Sequence, residues 1–209
     1  PFKTFSYNEI MISSLVCQGF FYYDFEAGKI REAIIKESKV SNNGRIWSYT
    51  IKKNLKFSDG NLLNAKAIVY NFEKFLNTSV KKESYKNIYK VEATSDDKVN
   101  IYLKESDFEF NALFCGRNGF GFISPESKNI PSGYGPYTIQ SFNEKEIVLI
   151  RNPQYTETPV FTDKIIFKVI GSEELRFKMI SNNEADIAPF SNLDFIFKAD
   201  ANPSMRLIK

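Results

Sequence analysis

Between Gly44 and Phe75 the spacing of apolar residues changes period. Trp47, Tyr49 and Ile51 alternate with Ser48, Thr50 and Lys52. That period of two marks a strand with one buried face, and Leu55 and Phe57 carry it on. Ser58-Asp59-Gly60-Asn61 is a turn cluster in which Gly60 is free to take positive φ. Asn64 stands where an N-cap belongs. After it, Ala65, Ile68, Val69, Phe72, Phe75 and Leu76 fall on one helical stripe. Lys66, Tyr70, Asn71, Glu73 and Lys74 lie mostly off that stripe. The segment therefore predicts strand, turn and helix. Such a unit packs many α/β domains, and its pattern alone implies no function.

The same reading along the chain predicts a helix from residue 9 running into a short strand at 20–23, and a short helix or turn at 30–36. Asn43-Gly44 closes a first hairpin. A second hairpin spans 87–103 with Ser95-Asp96-Asp97 as its turn, and a helix follows at 107–114. Residues 120–123 are expected to be extended, a small helix to start at Pro125, and 130–135 to form a loop. A third hairpin pairs Tyr137–Phe142 with Glu146–Arg151, and a turn-rich crossing runs from Asn152 to Asp163. Beyond it come a strand at 164–170, a helix at 173–181 ended by Asn182-Asn183, a short strand at 185–188, a helix at 192–198 and a last strand at 205–208. Hairpins interleaved with helices make this a mixed α/β (α+β) chain.

Composition narrows the picture. The 209 residues are 43% hydrophobic and 25% charged, with twenty Phe and eleven Tyr, enough for a well-packed aromatic core. The net charge is only +3, with no basic run longer than Lys81-Lys82, which argues against nucleic acid as a partner. No apolar run approaches the ~18 residues of a membrane span. The chain opens on Pro1, so any export signal has been removed or lies outside it. Cys17 and Cys115 permit one disulfide, but their apolar neighbours favour buried thiols.

The chain has no histidine, which removes Ser-His-Asp and Cys-His catalysis and the commonest metal ligand. Two cysteines are too few for a structural zinc site. The glycines of 116–122 lack the spacing of a phosphate loop. Asp59 reads as a turn cap before it reads as a catalytic carboxylate. No acidic pair stands out as a glycosidase dyad.

Three stretches carry a resemblance. "WSYTIKKNLKFSDGNLLNAKAIVYNFEKF" (47–75) is similar to the signature segment of extracytoplasmic solute-binding proteins of the oligopeptide, dipeptide and nickel class, the receptors of ABC importers. Trp47, Tyr49, Ile51, Lys52, Leu55, Lys56, Phe57, Asp59, Gly60, Ala65, Val69 and Phe72 match its pattern. "GYGPYTIQSFNEKEIVLIRNPQY" (133–155) resembles a second one, through Gly133, Gly135, Pro136, Tyr137, Arg151, Asn152 and Tyr155. Residues 163–188 resemble the strand–helix–acidic stretch that follows.

The resemblance implies a periplasmic-binding-protein-like type II lobe, a mixed sheet with helices plus an inserted subdomain of hairpins and helices. It places the core of lobe one at 1–30 and 133–209, the insert at 31–132, and the second lobe outside this chain. It implies a monomeric receptor and not an enzyme, periplasmic or otherwise extracytoplasmic, including anchorage by a lipid at the cell surface. Its partners would be a small-molecule or peptide ligand and the permease and ATPase of an importer. The short insert and "FGFISPES" (120–127 in frame) are closer to nickel-type members, so nickel held by a small organic chelator is the first expectation and di- or oligopeptides the second. Any protein ligand to the metal would come from outside this chain. An α/β enzyme using Asp and Glu, and a chaperone or scaffold, are the rival classes.

Four residues are the expected ligand contacts. Arg117, with Asn118 beside it, lies in an aromatic, glycine-rich loop, where a guanidinium can grip a carboxylate with two hydrogen bonds. Nickel-type members carry carboxylate-holding arginines in this loop. The register is imperfect, because Gly121 stands where one of them would be. Tyr7 and Asn8 align with a cleft-lining loop. No metal-ligating or catalytic residue is expected.

Overall fold

The computed structural model describes residues 7–24, 27–78, 82–114 and 121–208. Its elements run α1 (Tyr7–Val16), β1 (Phe21–Asp24), β2 (Lys29–Glu32), β3 (Ile35–Ser41), β4 (Ile46–Ile51), α2 (Ala65–Thr78) and β5 (Ile88–Ser95). They continue with β6 (Lys98–Leu103), β7 (Tyr137–Phe142), β8 (Glu146–Arg151), β9 (Lys164–Lys168), α3 (Glu173–Ser181) and α4 (Leu193–Asp200). Short 3₁₀ turns occupy Lys82–Tyr85 and Phe110–Phe114. The chain divides into two compact units, Pro1–Ser141 with Val148–Ile165, and Phe142–Ile147 with Ile166–Lys209.

The first unit holds the aromatic core. Four antiparallel strands form a sheet in the order β3-β4-β6-β5. The alternation in β4 does what its pattern predicts: Trp47, Tyr49 and Ile51 are buried, and Ser48 and Thr50 face outward with Asn100 and Lys98 opposite them. Val99, Ile101 and Leu103 supply the inner face of β6. Both edge strands break register, β3 between Ile35 and Glu37, β5 between Ile88 and Lys90 and again between Ala93 and Ser95. Helix α2 lies against β5 and β6. Asn64 caps it, accepting from Ala67 N at 3.0 Å, and Ala65 N reaches Asp96 O at 2.9 Å, which ties the helix start to the β5–β6 turn. Phe20 is the hub of the core. Its ring centroid lies 4.4 Å from Tyr49, 5.3 Å from Phe114, 5.0 Å from Phe122 and 6.0 Å from Phe72.

Turn chemistry is as the residues demand. Asn42, Asn43 and Gly44 all take positive φ between β3 and β4, and Gly60 has φ 87° in its turn. Other expectations need correction. Residues 30–36 are not a helix or turn. They form β2, paired with β1, and the start of β3. The expected helix at 107–114 is a 3₁₀ turn at its second half, and Pro125 opens a turn rather than a helix. The strand after the crossing stops at Lys168. Neither 185–188 nor 205–208 is a strand among the described residues. Asn71, expected off the apolar stripe, is buried in the core.

In the second unit, β9 leads into α3 and α4. Ser172 caps α3 and Asn192 caps α4. Phe177, Phe190 and Phe195 meet with ring centroids 5.7–6.1 Å apart. Glu173 joins the two helices: its carboxylate accepts from Ser191 N (2.8 Å), Ser191 Oγ (2.7 Å) and Asn192 N (3.1 Å), with the Arg176 guanidinium 3.3 Å away. The Ser191 hydrogen bonds lead in holding this carboxyl below its ordinary value. A depressed carboxyl stabilises the fold fully above the unfolded value and loses that contribution as pH falls through the folded one. Glu173→Gln should therefore lower the urea midpoint at pH 7, and the gap from the parent chain should close as the pH drops below the carboxylate range. An equal gap at both ends of that titration would remove the carboxylate's role.

Candidate functional site

The end of α1 is where the signature residues meet. Residues 121–124 and 132–135 flank it as two extended arms. Phe122 N donates to Gln18 O (3.0 Å), Gln18 N to Tyr134 O (3.2 Å), and Ser124 N to Ser132 O (2.8 Å). The approach is so close that only glycine fits. A Cβ on Gly133 would lie 2.1 Å from Val16 O, one on Gly135 2.4 Å from Leu15 O, and one on Gly121 2.6 Å from Cys17 Cβ. Cys17 is a buried free thiol between the arms, and burial pushes its pKa up to about 11, so it stays protonated and inert at neutral pH. Cys115 lies outside the described residues.

The rest of the second signature locks these arms. Asn152 is buried, donates through Nδ2 to Gly135 O (2.9 Å) and through its backbone to Pro136 O (2.9 Å). Arg151 pairs with Asp163 at 2.5 Å. Tyr155 receives a hydrogen bond from Gln18 Nε2 at 3.0 Å, and its ring lies 5.6 Å from Tyr134. Tyr134 Oη donates to Glu157 Oε1 (3.1 Å), whose other oxygen pairs with Lys52 Nζ; that ammonium also reaches Ala33 O at 2.6 Å. Burial pushes the Tyr134 phenol up to about 12 and raises Tyr155 as well, so both stay neutral and act as hydrogen-bonding groups at physiological pH. Gln18 Oε1 is buried without a partner. The motif's glycines, Asn152 and Tyr155 thus pack and hydrogen-bond around the arms and the end of α1, while Arg151 holds Asp163 beside them in the chain.

The expected ligand contacts lie around this frame. Arg117 and Asn118 fall in 115–120, outside the described residues. Of the described residues near them in sequence, Phe114 and Phe122 are both buried against Phe20. Tyr7 and Asn8 form the first turn of α1; their side chains are also outside the description. The ten residues of α1 span about 15 Å. Tyr7 and Asn8 open that helix, whereas Gly121 packs beside Cys17, just past its end. Two cavities, of about 300 and 490 Å³, open beside Arg45 and Tyr102 and beside Lys53 and Asp96. No group of three or more His, Cys, Asp and Glu able to hold a metal ion occurs among the described residues. Pattern reading missed Gln18, Glu157 and Asn71. Lys52 was legible through its motif, but its partner Glu157, 105 residues on, left no local signal.

Known proteins fit this frame. The chain is 26% identical over 193 residues to the nickel-binding periplasmic protein of Escherichia coli K12, covering 86% of this chain and 37% of that one. It is 25% identical over 166 residues to the probable D,D-dipeptide-binding periplasmic protein DdpA of the same strain, covering 72% and 32%. The chain thus spans about a third of the length of these curated relatives. Among solved structures, the binding protein MoaA of A. tumefaciens R10 in complex with mannopinic acid superposes with a TM-score of 0.90 at 19% identity, over 97% of this chain and 44% of that one, which shows the shared fold. Residues 29–208 match the family described as bacterial extracellular solute-binding proteins, family 5 Middle, and this chain belongs to that family.

Proposed function

We propose that the chain is the first lobe of a monomeric solute receptor that feeds an ABC importer outside the cytoplasm, and that it captures nickel as a complex with a small organic chelator. It performs no chemistry on its cargo. Capture is closure of two lobes on the ligand, followed by docking on the permease, whose ATPase drives uptake. The observation that supports this reading is the family match across residues 29–208. In it, residues 1–30 and 133–209 are the core of the lobe and 31–132 the insert. The sheet β3–β6 with α2 falls wholly inside that insert. Tyr7, Asn8, Arg117 and Asn118 contact the ligand, with the Arg117 guanidinium gripping a carboxylate of the chelator. A di- or oligopeptide is the second reading, favoured by the likeness to a probable dipeptide-binding relative.

Titration calorimetry of the whole gene product tests both. Saturable binding of nickel(II)–L-histidine and none of a tripeptide supports the first reading; the reverse assigns peptide. Arg117→Ala should weaken the bound carboxylate ligand by about 1.5–3 kcal/mol, the worth of a hydrogen bond to a charged group, and leave the melting temperature of the unliganded protein unchanged. Lost stability with intact affinity would give Arg117 to the fold instead.

A further inference from the structure

Of the two cavities, the larger is electrically balanced. Lys52 and Lys53 line it together with Asp96 and Asp97, and the Lys53 ammonium stands 4.0 Å from Asp97. The smaller, of about 300 Å³, is not balanced. Its lining includes Arg45, Lys104, Tyr89, Tyr102 and Ile46, and no described Asp or Glu. Neither cation takes part in an ion pair among the described residues. Their main chains are nonetheless fixed. Arg45 N donates to Asn42 O at 3.2 Å, Arg45 O accepts from Leu103 N at 2.8 Å, and Lys104 N donates to Asn87 O at 2.8 Å.

The aromatic wall belongs to the outer side of the four-stranded sheet. Ile46 and Tyr102 are cross-strand partners there, opposite the face that buries Trp47 and Ile101. The Tyr102 phenol is committed: Oη donates to Glu92 Oε2 at 3.1 Å, and Lys90 Nζ offsets that carboxylate at 2.9 Å. Tyr89 is 60% exposed, with its ring 5.9 Å from Tyr102 and inclined to it by 54°. Its hydroxyl makes no hydrogen bond among the described residues.

Two uncompensated cations beside two aromatic rings select a ligand on two counts. The guanidinium fork takes both oxygens of a carboxylate, and the ammonium adds a second point charge. The rings favour a flat apolar body over a bare hydrated ion. A neutral ring would leave the charges unanswered. We propose that this cavity is a binding site for a small aromatic carboxylate, with Arg45 and Lys104 on its charge and Tyr89 and Tyr102 against its ring. The site is built at the ends of β4, β5 and β6 and does not depend on which cargo the receptor carries.

Benzoate, benzamide and acetate separate the two selections, since benzamide keeps the ring without the charge and acetate the charge without the ring. Read from amide chemical shifts of the purified protein at low salt, benzoate should move Arg45, Tyr89, Tyr102 and Lys104 saturably. Benzamide and acetate should each need about tenfold more to do so. Arg45→Gln should weaken benzoate about tenfold, the worth of a charged hydrogen bond, and Lys104→Gln about threefold, as for an exposed charge pair. Added salt should weaken it in the parent protein. Lys98→Gln, at an exposed lysine elsewhere on β6, should leave benzoate binding unchanged. All three substitutions are at exposed residues, and their far-UV circular dichroism should match that of the parent. An equal response to benzamide or acetate would overturn the assignment. So would an equal loss on Lys98→Gln, or shifts scattered over the surface lysines without saturation, which would mean an adventitious ion only.

Discussion

Trp47→Ala should cost about 3–5 kcal/mol of folding stability, read by far-UV circular dichroism in urea because the substitution removes the chain's one tryptophan. Trp47 is 6% exposed, with its ring 6.4 Å from Tyr49 and 5.9 Å from Phe110. Truncation opens a cavity between sheet and 3₁₀ turn, where both neighbours are themselves pinned. Nε1 also donates to Asp107 O at 3.1 Å, and that carbonyl loses its partner. Trp47→Phe keeps most of the ring and forfeits the hydrogen bond, so it should cost much less. A loss under 1 kcal/mol for the alanine variant would mean that the inner face of β4 is not enclosed as described.

Gly133→Ala should be as damaging in the opposite sense, by crowding. The new methyl would sit 2.1 Å from Val16 O and 2.7 Å from Cys17 Sγ. The first is a main-chain atom in the last turn of α1, which cannot swing aside as a flexible side chain would. We expect a loss of about 3 kcal/mol or more, at the upper end of overpacking costs. Gly60→Ala is the matched comparison. Gly60 has φ 87° but nothing within 4 Å of the added carbon, so it should cost about 1 kcal/mol from backbone strain alone. Equal urea midpoints for the two variants would show that the arm can back away from α1.

What the sequence discloses depends on how local the cause is. The strand–turn–helix from Gly44 to Phe75 was readable because period, turn residues and cap agree within one short stretch. The hairpin at Tyr137–Phe142 and Glu146–Arg151 was readable to the residue for the same reason. Ala33-Ile34-Ile35 was not. A short unbroken apolar run fits helix or strand, and pairing decided it. The alternation at 185–188 and 205–208 suggested strands, yet Ile187 is 81% exposed and Ile208 78%, since no described strand lies beside them to pair with. Asn71 was misplaced because its burial is set by Ile123, 52 residues away, and no periodicity records that. At the site, residue types could be read and their convergence could not. The motif glycines and Asn152 turned out to brace the arms, a role visible only once α1 lies between them.

The register breaks at both borders of the four-stranded sheet bear on how this protein survives at high concentration. An open strand border is a template on which another chain can add itself, the first step of fibril growth. Here each border is irregular where an incoming strand would have to align: β3 slips between Ile35 and Glu37, and β5 slips twice within eight residues. Charges reinforce the mismatch. Lys39 pairs with Glu37 along β3, and Lys90 with Glu92 along β5, so a docking strand would have to desolvate ions as well as bend to fit. The sheet thus carries, on both of its borders, a mismatch that a further strand would have to overcome before it could add itself.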